Sequence, residues 1–163
     1  MSRDVNVIVD YIICRLLEVG DTPTVLKVQK LLYYTQAWFL ALNENDNEVF
    51  FNEQFQAWVH GPVCRKVYER FRDEGKIMFS ALDESDLMNK DVTKCLEEQD
   101  VLHIDNVLEA YGDLSGTQLE ALTHQEDPWL NARKGLKPLE RSENSIQEED
   151  MRNYYRKQLQ VSV

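Results

Sequence analysis

Turn-forming residues are scarce, with 6 glycines and 4 prolines in 163 residues. A many-stranded sandwich or barrel needs a turn about every 8–12 residues, so an all-β fold is excluded and long helices are favoured. Cysteine is sparse too. Cys14, Cys64 and Cys95 are an odd number with no C-x-x-C pair, which excludes a disulfide framework and a zinc knuckle and points to a reducing, cytoplasmic setting. The 3 histidines, His60, His103 and His124, lie far apart and none has the H-x-x-x-H spacing of a metal site. No G-x-S-x-G elbow, P-loop or G-x-G-x-x-G turn is present, so signature enzymology is absent. Nothing approaches the roughly 20 apolar residues of a membrane span, and Asp4, Asp10 and Arg15 break the N-terminal apolar stretch, so neither an anchor nor a signal peptide is expected.

Basic charge is also in short supply. Lys and Arg total 18 against 29 Asp and Glu, a net charge of −11, which argues against a free-standing nucleic-acid binder and for basic partners. The excess is lopsided. Residues 81–163 carry 9 basic and 18 acidic side chains, and ten acids between Asp83 and Asp113 face only Lys90 and Lys94. Such a run reads as a solvated face, with a docking surface as the alternative.

With 43% hydrophobic residues, the chain can build one core, and 1–163 reads as a single all-α domain of six to seven helices. Val5, Ile8, Ile12, Leu16 and Val19 mark one buried helical face that Gly20 ends. Asp21-Thr22-Pro23-Thr24 then caps the strongest helix, Val25 to Leu42, which is expected to be central. Residues 43–52 read as a polar loop, and Phe55 to Val59 as one short extended segment. Pro62 is placed at the start of a helix running to about Glu74. The acidic stretch 76–99 suggests one or two turns, followed by a helix from Asp100 to Tyr111. Ser115-Gly116-Thr117-Gln118 and Ser145-Ile146-Gln147-Glu148 are two capping boxes, the second opening a C-terminal helix over about 145–160.

Two constellations could carry function. His124 with Glu126 and Asp127 could form an acid/base group, or with Cys64 a thiol nucleophile, as in a small hydrolase or transferase. The simpler reading of 123–129 is a helix junction in which Asp127 caps, Pro128 follows and Trp129 packs on the core. The aromatic residues Tyr33, Tyr34, Trp38, Phe39, Trp58, Tyr68 and Trp129 are mainly core, with a few available as interface anchors. A helix-turn-helix-like transcriptional regulator is a further alternative, testable through its salt dependence on DNA.

Three segments read together carry a resemblance: Lys27-Val28-Gln29-Lys30-Leu31-Leu32-Tyr33-Tyr34-Thr35-Gln36-Ala37-Trp38, then Ala57-Trp58-Val59-His60-Gly61-Pro62-Val63, then Tyr111-Gly112-Asp113-Leu114-Ser115 with Thr123-His124-Gln125-Glu126-Asp127-Pro128-Trp129. In order and spacing across about 25–130, the chain resembles the Panacea antitoxin domain, also described as SocA-like or phage-associated GepA-like proteins. The resemblance implies a mostly helical, non-enzymatic domain, with no cofactor, that binds and neutralises a cognate toxin encoded by a neighbouring gene. It also allows an adaptor role in which the toxin is handed to a AAA+ protease. With the first helix beginning almost at Met1, DNA-mediated autoregulation is not expected. His60 stands where Tyr is common in the family and Thr35 where Ala is common. Partner contact is expected around Trp58, His60, Gly61, Pro62 and Tyr68 from one turn, and His124 and Trp129 from the other.

Overall fold

The computed structural model describes residues 3–161, and every structural statement here concerns those residues. Seven helices and one two-stranded hairpin follow in the order α1 (Val5–Glu18), α2 (Val25–Leu42), β1 (Phe55–Trp58), β2 (Gly61–Cys64), α3 (Arg65–Asp73), α4 (Glu98–Tyr111), α5 (Gly116–Thr123), α6 (Asp127–Ala132) and α7 (Glu148–Val161). The architecture is the mostly helical one expected. No helix is long and apolar enough to cross a membrane.

The central helix α2 has the bounds expected of it. Thr24 caps it by accepting from the Lys27 N–H at 3.1 Å. Its first free amides are taken up by a returning loop, Val25 N–H donating to Ser80 O and Leu26 N–H to Met78 O. Helices α1, α4, α5 and α7 and strand β2 all pack against it, so it is buried on nearly every side. Its polar residues are therefore inside the protein, and several of them clamp backbone from elsewhere. Gln29 brackets Cys64 by donating to its carbonyl (3.1 Å) and accepting from its N–H (2.9 Å). Gln36 donates to Phe51 O at 2.6 Å and accepts from Phe50 N–H at 2.8 Å. Lys27 donates to Gly112 O and pairs with Asp21. Buried polar groups are tolerated when satisfied in this way, and here they tie α2 to four separate segments.

Several local expectations are corrected. Pro62 does not start a helix: it lies in β2, opposite Ala57 in an antiparallel register running Phe55↔Cys64 to Trp58↔Gly61. The missing proline N–H removes no bond between the strands, because Ala57 opposite it turns its own N–H away from β2 to Asn144 O, and helix α3 begins at Arg65. The second edge of β1 is paired as well, Ala57 N–H donating to Asn144 O and Ile146 N–H to Phe55 O at 2.7 Å. Ser145 is drawn into a bridge with Gln56, and α7 starts at Glu148, two residues later than its capping-box pattern suggested. The Ser115 box does form, with both reciprocal bonds in place. Glu126 rather than Asp127 is the N-cap residue of α6, and no side chain caps it. Val19 is 79% exposed, because α1 has already ended there, while Val7, Val9 and Ile13 widen the buried face. Phe50 and Phe51 anchor the otherwise polar loop over 43–52 in the core. The acidic stretch after α3 holds two short 310 turns, Glu84–Asp86 and Val92–Lys94.

Candidate functional site

The two turns singled out in the sequence meet at one place. Strands β1 and β2 are joined through Val59 and His60, and Gly61 takes a φ of +99°, where only glycine is unstrained. A Cβ at Gly61 would also lie 2.7 Å from Lys30 Cε and 2.9 Å from Thr123 Oγ1. Replacing Gly61 with alanine is expected to destabilise the protein by about 1–3 kcal/mol through strain and crowding together, read as a lower urea midpoint with an unchanged slope.

The hairpin is held rigidly from beneath. Trp129, at the first turn of α6, donates its indole N–H to Trp58 O at 2.8 Å. Arg133 donates to Ala57 O at 2.9 Å while its guanidinium lies 5.2 Å from the Trp129 ring centroid. His124 stacks on the other side of the site, its ring 4.1 Å from that of Trp129. The buried ammonium of Lys30 donates to Pro62 O at 2.9 Å. Burial pushes its pKa down to about 7, with Glu120 pulling the other way. Gly61, Pro62 and Trp129 are thus buried and act by position.

What the hairpin presents to solvent is aromatic. Trp58 is half-buried, with its ring edge-on to Tyr68 of α3 at 4.8 Å and its N–H bonded to Gln56 Oε1. Arg65 and Arg72 flank Tyr68 at 6.0 and 5.8 Å from its ring centroid. His60 is exposed and meets Glu120 of α5 at 3.1 Å, and its ring lies 6.3 Å from that of Phe79, which is 61% exposed. Of the anchors expected from sequence, Trp58, His60, Tyr68 and part of His124 reach this face. Phe79 and Glu120 were not foreseen, since Phe79 sits in an irregular loop and Glu120 is one acid among many. Lys30 belongs to the family motif but carried no sign that it would be buried.

The alternative catalytic cluster does not assemble. Glu126 turns inward, where Tyr34 (2.7 Å) and Tyr155 (2.8 Å) both donate to its Oε1. Tyr34 stacks on Tyr111, whose hydroxyl accepts from Trp38, so Glu126 closes an aromatic network joining α2, α4, α6 and α7. Burial raises its pKa against the pull of those two hydrogen bonds. His124 faces Trp129, burial lowers its pKa, and Asp127 is exposed. Cys64 is fully buried and its thiol is pushed up to about 11, the reverse of an activated nucleophile. Among the described residues no group of three His, Cys, Asp or Glu could hold a metal ion.

The family described as antitoxin SocA-like, Panacea domain matches the chain over residues 28–130, from the first turn of α2 to α6. The match takes in Lys30, the whole hairpin, Glu120, His124 and Trp129. No curated protein and no solved structure matches the chain.

Proposed function

The chain belongs to the antitoxin SocA-like, Panacea domain family, and from that premise we propose that it neutralises a cognate toxin by direct protein–protein binding at the hairpin face. The observation that supports this placement is the pairing of half-buried Trp58 with Tyr68, and of exposed His60 with Phe79, on a hairpin whose backbone is locked by Trp129, Arg133 and Lys30. Tryptophan and tyrosine in such settings are favoured binding anchors, and a preformed backbone spares the ordering cost of association. The toxin is the product of a neighbouring gene, and the two proteins meet in the cytoplasm of a bacterium or of a phage-infected cell.

Expressing the neighbouring open reading frame in bacteria, with and without this chain, tests the proposal. Growth rescue with a stable complex on a tag is the expected result, and toxicity that persists despite co-expression would overturn it. Trp58→Ala should then weaken the complex by about 30-fold or more while the fold survives, since a packed tryptophan anchor contributes about 2 kcal/mol or more. Full rescue by a folded Trp58→Ala variant would move the binding face elsewhere. Toxin half-life separates simple occlusion, in which the toxin persists in the complex, from delivery to a AAA+ protease, in which it disappears.

A further inference from the structure

Away from the hairpin, α1 and the acidic loop after α3 enclose an open groove of about 480 Å³, lined by Cys14, Leu17, Glu18, Glu84, Leu87 and Lys90. Its apolar lining is Leu17, Leu87 and Cys14, all three half-buried. Two large apolar side chains next to it in sequence are left in water, Val19 at 79% and Met88 at 60% exposure.

The rim is negative. Glu84 has no ion-pair partner among the described residues, and Glu18 has only the exposed Arg15. Both carboxylates raise the Cys14 pKa, after burial and Asp10, so their field reaches into the groove itself. Helix α1 ends at Glu18, adding the partial negative charge of a helix C-terminus at the same mouth. Lys90 is the single cation among the lining residues. The groove is also well positioned to keep its shape, because buried Asp10 holds the backbone of Met88 and Asn89 against α1.

We propose that this groove is a second docking surface, for a basic segment of a partner protein that inserts one or two apolar anchors. An apolar lining inside a carboxylate rim selects that chemistry: the anchors bury area on Leu17, Leu87 and Cys14 while lysine or arginine side chains meet Glu18 and Glu84. It makes the start of the acidic run, at Glu84, part of a binding wall rather than a solvated face. The inference rests on the reading above only in taking protein binding as this chain's business.

A synthetic amphipathic leucine–lysine peptide is the probe, with a serine–lysine peptide of equal charge as control, at about 0.15 M salt so that diffuse attraction is screened. The leucine–lysine peptide is expected to bind the intact protein more tightly than the control and to slow alkylation of Cys14 while leaving exposed Cys95 at its free rate. Glu84→Lys should weaken binding about tenfold, and Lys90→Glu should strengthen it. Both positions are exposed, so neither change threatens the fold. Equal binding of the two peptides, unprotected Cys14, or indifference to Glu84→Lys would each overturn the groove. Toxin rescue does not enter this measurement, so peptide capture without rescue would leave the groove standing and remove the antitoxin reading, and the reverse result would do the opposite.

Discussion

Asp10→Ala is expected to cost the fold about 3–5 kcal/mol, the range for breaking a buried ion pair by removing one partner. Asp10 is fully buried and its carboxylate pairs with the guanidinium of Arg70, itself only 8% exposed at the side chain. The same carboxylate accepts from the backbone N–H of Met88 at 3.3 Å and of Asn89 at 2.8 Å, and from the Asn89 side chain at 3.1 Å. Removing it strands a buried cation and two backbone donors, and Arg70 keeps the backbone carbonyls of Asn6 and Asp86 and a long contact to Asn6 Oδ1. At about 2–4 °C per kcal/mol for a chain of this size, the melting temperature should drop by about 6–20 °C. Asp10→Asn retains the shape and one acceptor, so a smaller loss is expected. Hydrogen exchange should single out the 87–90 amides as the first to lose protection in that variant. A melting point within a degree or two of the parent would mean that Arg70 and the acidic loop are held by other contacts.

How far the fold could be read from the chain depends on whether the deciding partner is local. The bounds of α2, the Ser115 capping box and the glycine stops after α1 and α3 depend on neighbours within four residues, and they came out as expected. Pro62 and Ser145 carry equally good local signals for helix starts, yet both lie in extended backbone. Their competition comes from Gln29, thirty-five residues before Cys64, and from the meeting of Asn144 and Ile146 with β1, contacts that no local pattern contains. The same division runs through the candidate site. Trp58, His60 and Tyr68 could be picked out as aromatic residues beside a Gly-Pro turn. The division of labour between exposed anchors and the buried Gly61, Pro62 and Trp129 that fix them is tertiary. Asp10 was legible only as a charge interrupting an apolar face, and Lys30 only as a polar position in a helix.

Stability should rise with pH from about 7 to 8.5, and Lys30→Met should abolish that rise. Folded Lys30 releases its proton near 7, because its ammonium is wholly buried with one carbonyl partner, whereas a lysine of the unfolded chain holds its proton to about 10.4. Between those values the unfolded state binds more protons, so each pH unit adds up to about 1.4 kcal/mol to the folded state. His103 and His124, lowered by burial, act below this window, and Glu126, raised by burial, acts from its unfolded value near 4.3 upward in the opposite sense to Lys30. Cys64 and the buried tyrosines, all raised by burial, begin to oppose the rise only where the unfolded thiol ionises, near pH 8.5. Over the window the gain is about 2 kcal/mol, several degrees of melting temperature. Methionine fills a similar volume without a charge, so its profile should be flat there and its advantage over the parent greatest at pH 6. A parent profile as flat as the variant's would mean that Glu120 keeps Lys30 charged beneath the hairpin, and that attraction rather than desolvation governs the site.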